Sequence, residues 1–158
     1  MAEPSIDAGP GIDPSNLVLL VVGAHLRGEI ADRPLAYGLR DRMLRWIAES
    51  GRDINVPIVP VVCTDVWYVN QESLHQRPTV SIGGPGVNAL SAYYAKNLDQ
   101  AMLEDHKMVI QLDPEFVHLR VAIWGADHDL TTKALELFTS RYLDAYLRAV
   151  ATQVEPEG

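Results

Sequence analysis

Aliphatic runs and helical stripes alternate along this chain, and the alternation predicts its elements. Leu17-Val-Leu-Leu-Val-Val22 is a continuous apolar run that stops at Gly23. So short and unbroken a run predicts a strand buried on both faces, as in a parallel sheet. The period then changes: Leu35, Leu39, Met43 and Ile47 recur every fourth residue, with Ala36, Leu44 and Trp46 widening the stripe. This predicts an amphipathic helix to Ser50, with Asp32 as its N-cap, Pro34 in its first turn and Gly51 as its stop. Gly38 inside it predicts a close helix–strand approach, since an interior glycine costs about 1 kcal/mol relative to alanine.

Pro57-Ile-Val-Pro-Val-Val-Cys-Thr-Asp65 reads as a second buried strand. Pro60 has no N–H for a ladder, which predicts a sheet edge or a bulge. Trp67 to Pro78 reads as a long connection. Thr79-Val-Ser-Ile82 then meets Gly83-Gly-Pro-Gly86, and a helix begins near Val87 with apolar Leu90, Tyr94, Leu98 and Ala101. Residues 107–112 and 117–124 predict a hairpin turned by Asp113-Pro114-Glu115. In its second strand Val117, Leu119, Val121 and Ile123 share one face, His118 and Arg120 the other. After Gly125 a single long helix is expected from Leu130 to Val150, striped by Ala134, Leu137, Phe138, Tyr142, Ala145 and Ala149.

The order β-α-β-loop-β-α-β-β-α predicts an α/β fold. The expected architecture is a Rossmann-like three-layer αβα sandwich of about five mostly parallel strands, one antiparallel, with helices on both faces. Residues 1–16, with three prolines and two glycines, read as a flexible arm, 17–151 as a single domain and 152–158 as an acidic tail.

Composition narrows the classes of function. The net charge is -8 and the pI about 5.0. Without a basic patch the chain is expected to bind neither nucleic acid nor an anionic membrane. Cys63 is the single cysteine, so no intrachain disulfide and no thiolate cluster can form. No secretion signal is apparent, and a cytoplasmic protein is expected.

Ligands of open α/β sheets collect at the carboxyl ends of parallel strands. Here those ends are Gly23-Ala24-His25, Thr64-Asp65, the Gly83–Asn88 loop and Gly125-Ala126-Asp127-His128, provided the strand at 107–112 is the antiparallel one. Gly83, Gly84 and Gly86 would let a ligand approach the backbone, beside Pro85 and Val87. The helix N-terminus behind them suits an anion, and Asn88 could cap that helix or hold the ligand. The loop is neither a Walker loop, which needs Gly-Lys-Ser/Thr, nor a GxGxxG fingerprint. The candidate ligand-binding residues are therefore Gly83, Gly84, Pro85, Gly86, Val87, Asn88, Gly23, Gly125 and Asp127.

His25 and Asp65 are the candidates for proton transfer if the site is catalytic, with Asp127 and His128 as companions. No His-x-His or His-Glu-x-x-His spacing points to a metal, and no motif names a cofactor. Cys63, inside an apolar strand, reads as a small hydrophobe rather than a nucleophile.

Ile82-Gly-Gly-Pro-Gly-Val-Asn88, followed by Ala122-Ile-Trp-Gly125, Asp129, Thr131 or Thr132 and Ala134, resembles a module of archaeal S-layer-type proteins. Those modules have a Gly-Gly-Pro-x-x-Asn loop, a strand ending in glycine and an Asp-Thr helix start. This chain has Asp-Leu-Thr-Thr there and no secretion signal. The resemblance covers the C-terminal half and implies a shared turn geometry in a domain without established catalysis.

Three readings follow. The first is a small anionic or polar ligand held at the Gly83–Asn88 loop in a regulatory or sensing role. The second is a non-catalytic, homodimerising interaction domain. The third is a hydrolase or transferase using His25 and Asp65.

Overall fold

The structure, a computed structural model, describes residues 14–50, 58–98, 102–104 and 107–154. The expectations for most of the N-terminal arm, for Gly51, Pro57 and Ala101, and for the last four residues of the tail lie outside these. Strands β1 (Leu17–Val22), β2 (Val59–Thr64), β3 (Thr79–Ile82), β4 (Met102–Glu104), β5 (Met108–Gln111) and β6 (Arg120–Gly125) form one sheet in the order β2-β1-β3-β6-β5-β4. β2, β1, β3 and β6 run parallel, and β5 pairs antiparallel with β6. The expected hairpin and its antiparallel member are present. Its second strand begins at Arg120 rather than Val117, which is exposed. The short β4, which the sequence reading lacks, pairs antiparallel with β5.

Every residue of β1 is buried, as the unbroken aliphatic run requires of a strand covered on both faces. Val18, Leu20 and Val22 point to one core, with Ala36, Leu39 and Met43 of helix α1 (Arg33–Ser50). Phe138 of α4 (His128–Arg141) and Tyr146 of α5 (Leu143–Val154) complete that layer. Leu17, Leu19 and Val21 point to the other core. There they meet Tyr68 of α2 (Asp65–Val69) and Leu90 and Tyr94 of α3 (Ala89–Asn97). This is the expected three-layer sandwich. β2 forms one edge of the sheet, where Pro60 can lack its ladder donor. Among the described residues no helix is long and apolar enough to cross a membrane.

Local expectations fail where helices start and break. Asp32 is not an N-cap: the chain is already helical from Leu26, and Gly28–Asp32 form a widened π turn leading into α1. The Arg33 N–H donates to the Gly28 carbonyl, five residues back. Pro34 has no N–H and crowds the preceding turn, and widening that turn accommodates it. α2 and a 3-10 turn at Glu72–Leu74 occupy part of the expected long connection. The predicted C-terminal helix is two helices, broken at Tyr142 (φ -123, ψ -21). The break re-phases the apolar stripe, burying Leu143, Tyr146, Leu147 and Val150 and exposing Ala145. α5 then runs to Val154, three residues into the expected tail.

Gly38 is also explained otherwise than expected. Among the described residues nothing outside its own helix backbone lies within 4 Å of the position its Cβ would take. With no close approach to protect, Gly38→Ala is expected to stabilise the protein by about 0.5–1 kcal/mol, measured by urea unfolding.

Candidate functional site

α1 packs on one face of the sheet and α3 on the other, so the chain leaves the neighbouring strands β1 and β3 in opposite directions. That reversal opens a crevice at the carboxyl ends of the strands. A cavity of about 260 Å³ lies in this region. It is lined by Gly84, Pro85, Gly86 and Val87, by Trp124 to His128 with Thr131, and by Arg27, Ala31 and Asp32. Of the predicted site residues, Gly84, Pro85, Gly86, Val87, Gly125 and Asp127 come together here, and His128 with them.

The remaining predicted residues shape the rim without lining the cavity. Gly83 has φ +107, which favours glycine, and a Cβ there would stand 2.4 Å from Oδ2 of Asp32. A Cβ on Gly23 would lie 1.7 Å from the carbonyl oxygen of Val87. Gly23 is therefore the place where β1 passes against the loop.

Asn88 is a cap and a tie. Its side-chain carbonyl accepts from the N–H groups of Leu90 (2.9 Å) and Ser91 (3.3 Å). Its amide donates to the carbonyls of Val21 (3.1 Å) and Ile82 (3.0 Å). All four hydrogen-bonding positions of the amide are thus occupied inside the protein. The N–H groups of Val87 and Asn88 donate to the Gly84 carbonyl, and that of Ala89 to Asp65. Of the two roles expected for Asn88, the cap is the one formed, and these donors at the start of α3 are used within the protein rather than left open to an anion.

Asp65 is committed in the same way. Its Oδ1 accepts from Ala24 N–H (2.9 Å) and Val66 N–H (2.7 Å), and its Oδ2 from Ala89 N–H (2.8 Å). One carboxylate thereby joins the end of β1 to the starts of α2 and α3. His25 is exposed, and its Nδ1 accepts the Arg27 N–H at 3.2 Å. No hydrogen bond links His25 with Asp65, and neither lines the cavity, so the expected proton-transfer pair is not assembled. Asp127 caps α4, accepting from Leu130 N–H at 2.8 Å. Burial pushes the Cys63 thiol up to about 12, which keeps it protonated and consistent with a packing role.

The residues missed by sequence reasoning are Asp32, Arg27 and Trp124. Asp32 is 6% exposed, and its carboxylate has no hydrogen-bond partner among the described residues. Burial raises its pKa, while the charges of His128 and Arg27 pull it down. A signal for it existed: Asp32 precedes Ala36 by one helical turn, on the stripe that continues to Leu39 and Met43. A carboxylate on an apolar stripe is unusual unless something meets it. Trp124 packs beside Gly84, 3.6 Å from the position of a Cβ there, and its indole N–H is buried without a partner among the described residues.

A raised carboxyl pKa fixes the sign of a pH effect. The folded state holds the Asp32 proton more tightly than the unfolded chain does. Stability from this group therefore rises as pH falls through the folded pKa, and levels off below the unfolded one. Asp32→Asn is expected to be more stable than wild type at neutral pH, with the advantage shrinking as pH falls toward 4. Thermal unfolding across pH checks it, and an advantage independent of pH would contradict it.

Among the described residues no three His, Cys, Asp or Glu side chains converge so as to hold a metal ion. No family model matches the chain, and no curated protein and no solved structure matches it.

Proposed function

We propose that this chain binds a small polar ligand carrying an anionic group in the cavity at the carboxyl ends of β3 and β6. The observation that carries the reading is the largely buried Asp32, whose carboxyl lines the cavity with Arg27 and His128. A carboxylate largely withdrawn from water is costly unless something meets it, and such groups cluster at sites where a ligand does. Arg27 supplies the positive charge for the ligand's anionic group, while Asp32 addresses a hydroxyl or amino group. The glycine loop contributes its open backbone surface. Among the described residues Gly86 has nothing within 4 Å of its Cβ position, so a ligand can approach there.

A thermal-shift screen with inorganic phosphate, nucleotides, small carboxylates and amino acids tests this. A ligand at one hundred times its Kd stabilises the native state by about 2.7 kcal/mol, raising Tm by roughly 5–10 °C in a domain of this size. Gly84→Val is expected to abolish the shift. The added Cβ makes only ordinary contact with Trp124, so the fold should persist. Arg27→Ala should weaken binding of the anionic ligand. A screen with no shift, or a shift untouched by both substitutions, would refute the proposal.

A further inference from the structure

A second cavity, of about 350 Å³, lies in the other layer of the molecule, beneath α2 and α3. Its walls are Tyr68, Leu90, Tyr93 and Tyr94, with Val69 and His75 beside them. The connection that forms one side is held in place. The His75 ring stacks on Tyr68 at 4.7 Å, and its Nε2 is hydrogen-bonded to the Tyr68 carbonyl at 2.9 Å. The chain carries a net charge of -8, yet among the described residues no acidic side chain lines this cavity. Among the described residues that line it, the one permanently charged side chain is Arg120, at the start of β6. Arg120 is half-buried, and its guanidinium has no ion-pair or hydrogen-bond partner among the described residues. Aromatic walls and one uncommitted guanidinium match a flat apolar body bearing one carboxylate, because the planar fork of arginine donates two parallel hydrogen bonds to a carboxylate.

We propose that this cavity is a second ligand site, for an aromatic monocarboxylate, with Arg120 holding the carboxylate and the tyrosines enclosing the ring. It shares no residue with the rim cavity.

Isothermal titration of the whole chain with 2-naphthoate and with its neutral analogue 2-naphthamide tests the proposal. The carboxylate is expected to bind at least about ten-fold more tightly than the amide, the scale of one charge-assisted hydrogen bond. Arg120→Gln should reduce naphthoate affinity to that of the amide while leaving amide affinity unchanged, which also shows that the cavity is intact. Arg120→Lys should retain part of the preference, and serves in its place if the glutamine variant unfolds. Tyr93→Ala should weaken both probes, and Arg27→Ala neither. Equal affinity for the two probes, no binding of either, or a preference that survives Arg120→Gln would overturn it. Loss of naphthoate binding in Arg27→Ala would place the probe at the rim and equally overturn it.

Discussion

Asn88→Ala is expected to lower the unfolding free energy by about 3 kcal/mol or more, read from urea or thermal unfolding. The N-cap bonds to Leu90 and Ser91 account for about 0.5–2 kcal/mol of this. The rest comes from the two amide bonds to the Val21 and Ile82 carbonyls, which lie in a fully buried setting. Removing the donor leaves acceptors that water cannot easily reach, at about 1–3 kcal/mol for each group left without another partner. Asn88→Asp separates the two contributions. It keeps the cap acceptor but turns a carboxylate oxygen toward two carbonyls. It should therefore rescue little; an aspartate variant as stable as wild type would contradict the account.

The second large effect is expected at Gly23. Gly23→Ala would place a methyl group 1.7 Å from the Val87 carbonyl oxygen and 2.8 Å from its carbon. Both are backbone atoms, which cannot rotate aside as a flexible side chain can. Either the end of β1 or the Val87–Asn88 segment must move, and Asn88 is bonded to β1 through Val21. A loss of about 3 kcal/mol or more is expected, at the upper end for overpacking. Gly38→Ala, with open space around it, should move stability the other way. Equal effects at the two positions would mean that close approach does not decide the matter.

The layers of the fold were legible because they depend on local periodicity. The unbroken run at Leu17–Val22 could be satisfied only by burial on both faces, and Pro60 marked the edge strand. The loop at Gly83–Gly86 was legible because few other sequences turn a strand so sharply into a helix. The start of α1 was misread because Asp32 followed by Arg33-Pro34 fits the local chemistry of a cap. The widened turn that accommodates Pro34 depends on hydrogen bonding from Arg33 back to Gly28, which no residue type announces. The break at Tyr142 was hidden for a related reason. No glycine or proline marks it, and the shift to Leu143, Tyr146 and Leu147 is set by packing.

At the site the sequence supplied the place but misassigned several roles. His25, Asp65 and Asn88 are the residue types expected of chemistry. Two of them are consumed in holding β1, β3, α2 and α3 together at one rim. Backbone donors needing a partner are common at strand ends, and Asp and Asn are the side chains that best supply one. The carboxyl left over, Asp32, comes from a neighbouring helix, so its meeting with the loop is a tertiary event. Gly83 was recognised from its place in a turn, but its lack of a side chain also leaves the space that the Asp32 carboxylate fills.

The strand order has a consequence for how the protein is made. β1 and β2 pair directly, and both emerge before the rest of the sheet. β3 joins the other side of β1, and the rim still lacks its far wall until β6 and the first turn of α4 follow. A nascent chain ending before Arg120 thus holds Asp32 and the glycine loop with nothing opposite them. The cavity is completed late, by segments from distant parts of the chain, after much of the scaffold beneath it can already have formed.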